Sequence, residues 1–331
     1  MHAPCRVPVS ARRTSSLALI ALFFLLILAA GISPLAAQID PVVYRLDKSS
    51  TFQKGCFDPC MCPVMFSGSE RGTFVLRFTG SDPLYDNYRV EEVNWTVTVP
   101  GQEIRVTGSG TYRVGGEVAL QQQLILDLSV DGAAAEHFDS GLVTGGGGFP
   151  RIAITISIHG QVCFDTVFRL SAAPVPASEL KAYRLSPESR FLRGCSDPCD
   201  CPTLDPVPVR GSFTLVPLER GPLGTEFSVV QVKWLVSPDP IGGDPSGLSV
   251  TGSGTYRLSG EVAAEQQMKL DLKLGTDPPV AYDSGLVPGG GGFPLLDVTI
   301  QRTVQTCLTT AFELHAKPVR MCPRASGAIP D

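Results

Sequence analysis

The chain has 331 residues, a net charge of −5, 18% charged residues, 34 glycines and 28 prolines. With 27 basic against 32 acidic residues and no Lys/Arg block, it lacks the phosphate-neutralising charge that nucleic-acid binding draws on. It is equally poorly suited to an anionic membrane surface. The length suits two domains, and the glycine, proline and low charge suit compact β structure with many turns.

Residues 1–37 read as a secretory signal. Arg12 and Arg13 supply its positive start, Leu17 to Ala30 its apolar run, and Pro34-Leu35-Ala36-Ala37 its small-residue cleavage site. The apolar run falls short of the roughly 20 residues that span a bilayer. The expectation is therefore an exported protein, periplasmic, secreted or at the cell surface, with no membrane attachment after cleavage. Cleavage takes three arginines and no acid, leaving 24 basic against 32 acidic residues and a net charge of −8.

Beyond residue 37 the chain is a tandem repeat. Tyr44-Arg45-Leu46 returns 139 residues later as Tyr183-Arg184-Leu185, Arg71-Gly72-Thr73-Phe74 as Arg210-Gly211-Ser212-Phe213, and Trp95 as Trp234. A five-residue insertion within 237–247 then moves the offset to 144. From there Thr107-Gly108-Ser109-Gly110-Thr111-Tyr112-Arg113 recurs unchanged as Thr251 to Arg257. The expected layout is repeat 1 over 38–171, an Ala/Pro linker over 172–181, repeat 2 over 182–316 and a tail over 317–331. A linker of that composition is extended and stiff.

Within each unit apolar residues alternate with polar ones. In the first they run Phe74-Leu76-Phe78, then Val93-Trp95-Val97-Val99, Leu124-Leu126-Leu128-Val130 and Ile152-Ile154-Ile156-Ile158. The last set is Val162-Phe164-Phe168-Leu170. This predicts an all-β protein of two tandem homologous antiparallel domains. Each has seven to eight strands, as a barrel-like meander or a sandwich, with short connections favouring the meander. By parity, Cys163 points away from the core, towards a loop crossing the outer face.

The densest motif is Gly55-Cys56-Phe57-Asp58-Pro59-Cys60-Met61-Cys62-Pro63. It repeats as Gly194-Cys195-Ser196-Asp197-Pro198-Cys199-Asp200-Cys201-Pro202. Each copy is followed about a hundred residues later by a lone cysteine, Cys163 or Cys307. In an oxidising compartment these eight cysteines are disulfide candidates. Cys60–Cys62 is disfavoured because residues two apart on a strand lie about 6.6 Å apart. Cys56–Cys60 with Cys62–Cys163 and Cys56–Cys62 with Cys60–Cys163 remain, and the Asp58-Pro59 turn favours the first. The alternative is a four-thiolate zinc or copper site from Cys56, Cys60, Cys62 and Cys163, and another from Cys195, Cys199, Cys201 and Cys307. A redox pair would want C-x-x-C, which is absent. Cys322 is left over, unpaired or bridging two chains in a disulfide-linked dimer.

No catalytic constellation recurs in both units. Asp139-Ser140 lies near His137, but repeat 2 has Ala281 there and Thr303 in place of His159. Glu117, Asp127 and Asp139 recur as Glu261, Asp271 and Asp283 without the spacing of a calcium loop. Gly145 to Gly148 lacks the Lys-Ser/Thr of a phosphate loop. The glycines of Thr107 to Thr111 predict a bulge or tight hairpin. Asn94-Trp95-Thr96 fits the glycosylation sequon, but Lys233 replaces Asn94 in repeat 2, and both tryptophans read as core.

The repeated G-C-x-D-P-C-x-C-P block resembles domains of exported bacterial proteins that have no assigned activity, and the likeness covers both units. The strand pattern is also similar to lipocalin-like barrels, which would imply an apolar ligand cavity. These features together point to a non-enzymatic exported binding or structural protein without cofactor, built of two disulfide-stapled β domains. The alternative is a protein binding zinc or copper in each domain.

Overall fold

The computed structural model describes residues 40–62, 66–145, 148–195, 206–221, 224–238, 247–260, 264–289, 292–303 and 308–319. The expected signal, Cys199, Cys201, Cys307 and Cys322 lie outside them, as does the side chain of Cys195. Every described element is a strand, and all described residues belong to one compact unit.

The first repeat runs β1 (Val42–Leu46), β2 (Thr51–Phe57), β3 (Phe66–Ser81), β4 (Tyr85–Val99) and β5 (Gln102–Gly115). It continues with β6 (Gln121–Val130), β7 (Glu136–Asp139), β8 (Val143–Thr144), β9 (Ile152–Ser157) and β10 (Cys163–Pro174). β1 and β2 both lie between β3 and β10, as one strand broken at Asp47 to Ser50. β7 and β8 both pair with β6 as a second broken strand. Merging these leaves eight strands, each antiparallel to the next in sequence. β9 pairs with β10, and β10 with β1 and β2, so the sheet closes. The meander is a closed up-and-down barrel, and closure removes the sheet's free edges.

The second repeat copies it with β11 (Lys181–Leu185), β12 (Arg190–Cys195), β13 (Val207–Gly221), β14 (Gly224–Val236) and β15 (Leu248–Ser259). Then come β16 (Glu265–Leu274), β17 (Val280–Asp283), β18 (Val287–Pro288), β19 (Leu296–Arg302) and β20 (Leu308–Pro318). Pairing of β13 with β14 and of β20 with β11 and β12 closes this ring too.

An eight-stranded barrel has an interior just wide enough for side chains, and aromatic rings occupy it. Tyr44, Phe74, Trp95, Phe168 and Phe138 form a chain of ring contacts with centroids 5.3–6.3 Å apart. Tyr183, Phe213, Trp234 and Phe312 repeat it. Tyr112 donates to Gln122 Oε1 (3.0 Å), and Gln122 Nε2 donates to the Ala153 carbonyl (2.7 Å). Tyr256, Gln266 and the Asp297 carbonyl form the same polar tie across the second barrel.

The glycines of Thr107 to Thr111 mark no hairpin, but they do mark a bulge: they lie mid-strand in β5 opposite the bulge of β4, where the register passes from Val90 opposite Gly110 to Val93 opposite Gly108. A Cβ on Gly108 would meet the Asp127 carbonyl oxygen at 2.2 Å, and one on Gly110 the Ile125 oxygen at 2.0 Å. The motif recurs because only glycine lets β6 approach β5 that closely.

The two barrels pack together. β10 runs on through Ala172 to Pro174, and Val175 donates to the Val43 carbonyl (2.8 Å), so the expected linker is partly strand. Buried Val43, Val75 and Val175 meet Val216 and Val230 of the second barrel.

Candidate functional site

Four places bring chemistry-bearing side chains together: the cysteine clamp, the contact between the barrels, and two grooves outside the lumens.

At the clamp, β2 pairs with β10 up to Phe57 opposite Cys163. Asp58-Pro59 then turns the chain, closed by Cys60 N–H on the Phe57 carbonyl (3.1 Å). The turn brings Cys60 back over Cys163, with Cα atoms 4.8 Å apart, and Cys62 back over Cys56 at 5.5 Å. Both spacings suit a disulfide, and the bonds are Cys60–Cys163 and Cys56–Cys62. The pairing favoured by the turn signal is therefore corrected. The turn delivers Cys60 to the neighbouring strand rather than to its own.

The outer-face expectation for Cys163 also changes. Val162 and Phe164 are exposed, 52% and 47%, because the start of β10 pairs with β2 alone and its ladder to β9 begins only at Val167. Parity counted through them does not report the core, and the clamp sits at the barrel end where β2 finishes and β10 begins. Asp165, 1% exposed, sets this corner by accepting backbone N–H groups from Ile158, His159, Gln161 and Thr166 at 2.7–3.1 Å.

The other predicted residues do not assemble. His137 Nδ1 lies 2.9 Å from Asp127 on the exposed surface. Asp139 accepts from Gln123 and the Gly141 amide, while Ser140 Oγ accepts from Leu124 N–H and donates to the Gly141 carbonyl. Asp283 and Ser284 repeat these bonds with Gln267, Gly285 and Met268. Asp-Ser-Gly is thus the hinge of the broken strand. Glu117 is exposed, and Glu261 lies outside the described residues. Among the described residues no cluster of three His, Cys, Asp or Glu could hold a metal.

Gly145 to Gly148 leads into Phe149, whose ring lies 5.6 Å from Tyr88 and 6.3 Å from Tyr112 over the barrel end away from the clamp. Phe293 does the same with Phe227 and Tyr256. Lys181 stands over Phe227 and Phe293 at 5.5 and 5.4 Å, in a cleft of about 570 Å³ shared with Arg45 and Lys48 of the first barrel.

Between the barrels, Arg71 holds Glu226 (3.1 Å), Glu103 (2.7 Å) and Thr98 (2.5 Å). Arg105 pairs with Asp271 (3.0 Å), and Thr73 Oγ1 lies 2.6 Å from Ser228 Oγ. Asn94 is 2% exposed and donates to Ser228 Oγ (2.9 Å) and the Gly254 carbonyl (2.5 Å), so the sequon is buried in this contact. Arg45 reaches Glu179 and the Pro217 carbonyl. The interface was missed from the sequence, yet a signal was present. Val216 and Val230 stand where repeat 1 has Arg77 and Glu91, an outward pair joined at 3.1 Å.

No family model matches the chain, and no curated protein matches it. Among solved structures it is similar to a Bacteroides fragilis protein provisionally described as an outer membrane protein, at 9% identity and a TM-score of 0.19. That likeness covers 82% of this chain and 96% of the other. At that score it bears on neither fold nor location.

Proposed function

We propose that the protein is an exported, non-enzymatic binding or structural protein of the cell envelope or extracellular space, using the outer surfaces of two fused barrels. The observation that carries this is the contrast between interior and exterior. Aromatic chains fill both lumens where a lipocalin-like carrier would hold its ligand, while the grooves lie outside. The disulfides support export, because such bonds persist in oxidising compartments. They also favour staples over the thiolate metal site, since a sulfur in a disulfide is not a thiolate ligand. Charged outward residues such as Arg89, Asp127, Lys269 and Lys273 suit water, whereas a bilayer-spanning barrel needs an apolar outer band.

The test is a thiol titration and metal analysis on protein matured in an oxidising compartment. The expected result is one free thiol per chain, from Cys322, or none if that residue links a dimer on non-reducing electrophoresis. Two bound metals released together with the thiols would overturn the proposal.

A further inference from the structure

The barrels join head to tail rather than by a two-fold, so each half of the contact has a homologous counterpart elsewhere that is not used in it. The first barrel contributes Arg45, Arg71, Thr73, Asn94 and Arg105. Their counterparts on the second barrel are Arg184, Arg210, Ser212, Lys233 and Ser249, all exposed. These five line a groove of about 630 Å³ floored by Leu185, Gly211, Trp234 and Val250. The second barrel therefore has, open to solvent, the recess that its homologue fills with another protein face.

The substitutions between the copies sharpen its charge. Arg71 is partly neutralised within its own barrel by Glu103, but the counterpart of Glu103 is Gly247. Asn94 becomes Lys233. Arg184 and Arg210 make no hydrogen bond or ion pair with the described residues, and the acid acting on Lys233 is Glu92 of the first barrel. What the filled recess accepts is visible: Glu226 and Ser228, alternate residues of one strand, with Asp271 from another. A second copy of this chain does not supply that face. Its own Glu226 face is occupied, and the homologous face of repeat 1 presents Arg77 and Arg89 where Val216 and Ser228 stand.

We infer that this groove on the second barrel docks a carboxylate-bearing β face of another protein, held by Arg184, Arg210 and Lys233. The inference rests on the reading of this protein as a binding protein that uses its outer surface, and it adds the site and the chemistry of the partner.

Fluorescence anisotropy of labelled poly-L-glutamate on the full chain tests it, with Arg184→Glu/Arg210→Glu as the variant. Both side chains are exposed, so the melting temperature should be unchanged. The expected result is saturable, salt-sensitive binding, weakened about tenfold or more by the double charge reversal and unchanged by Arg77→Glu/Arg89→Glu on the first barrel. Absence of saturation, or equal binding by wild type and the groove variant, overturns the inference. So does heparin binding at the groove in preference to poly-L-glutamate, which would make the partner a sulfated polysaccharide. A failure here with one free thiol and no metal leaves the proposed function standing and removes only this site.

Discussion

Glu92 and Gln231 occupy the same position in the repeat, 139 residues apart, and they touch: the Gln231 backbone amide donates to Glu92 Oε2 at 2.6 Å. Both sit on β-bulges with positive φ, 53° and 55°. A bulge turns a strand's backbone outwards, and here two equivalent bulges interlock although the surrounding surfaces are not equivalent. The repeat supplied the bump, and divergence around it supplied the fit.

Arg71 anchors that fit, since its guanidinium reaches Glu226 from the partner barrel at 3.1–3.2 Å through two nitrogens. Both side chains are well under one-third exposed, so the pair is screened less than a surface bridge. Arg71→Ala should cost about 1–3 kcal/mol and loosen the barrels. Limited proteolysis should then cut residues 176–180 faster in the variant. Arg77→Ala, which breaks the more open bond to Glu91 within the first barrel, should cost about 1 kcal/mol or less and leave the cleavage rate unchanged.

The clamp makes a prediction with an internal control. Cys60–Cys163 spans 103 residues and Cys56–Cys62 spans six. In the chain-entropy view the long bond stabilises by up to about 4.7 kcal/mol and the short one by about 2.4 kcal/mol. Denaturant titrations of Cys60→Ala/Cys163→Ala and Cys56→Ala/Cys62→Ala should rank in that order. Peptide mapping without reduction should recover Cys60 joined to Cys163.

How much of the molecule could be read beforehand depends on which interactions are local. Alternation at Trp95-Val97-Val99 or Ile152-Ile154-Ile156 needs only neighbours along the strand, so class and core were legible. Closure was not, because the pairings of β10 with β1 and β2, and of β20 with β11 and β12, which join the two ends of each meander, carry no separate residue signature. The disulfide pairing turned on where the Asp58-Pro59 turn points in space. The interface was written in differences between the copies, Val230 against Glu91 and Lys233 against Asn94, which acquire meaning only when the docking is known.

The repeated Thr-Gly-Ser-Gly-Thr segment is testable by adding one methyl group. At Gly110 or Gly254 a Cβ would lie 2.0 Å from a backbone oxygen of the adjacent strand, and backbone cannot give way as a side-chain tip can. Gly110→Ala should destabilise by about 1–3 kcal/mol or more as β5 and β6 are forced apart. Hydrogen exchange should show the loss concentrated in amides of β5 and β6. Gly132, with open space around its would-be Cβ and φ of 74°, makes a useful contrast. Gly132→Ala carries only the backbone strain of about 1–2 kcal/mol and should leave the β5–β6 amides protected.

Glu70 is the residue that strains the first barrel. It is 3% exposed, both carboxyl oxygens lack a partner, and burial pushes its pKa well above the ordinary value. The second barrel has Val209 there, within its core. Because the folded-state pKa is raised, folding favours the protonated form. Its contribution is fully present below the unfolded pKa and lost as pH rises through the folded one. Stability should therefore fall as pH rises above the ordinary carboxylate range. Glu92, raised by burial although the Gln231 amide opposes the shift, adds to the same slope. Glu70→Val should raise stability by about 1–3 kcal/mol at neutral pH by removing an unsatisfied buried polar group. Melting curves of wild type and Glu70→Val should converge towards acid pH and separate towards neutral. A gap that stays constant across the range would mean that packing, and not ionisation, sets the difference.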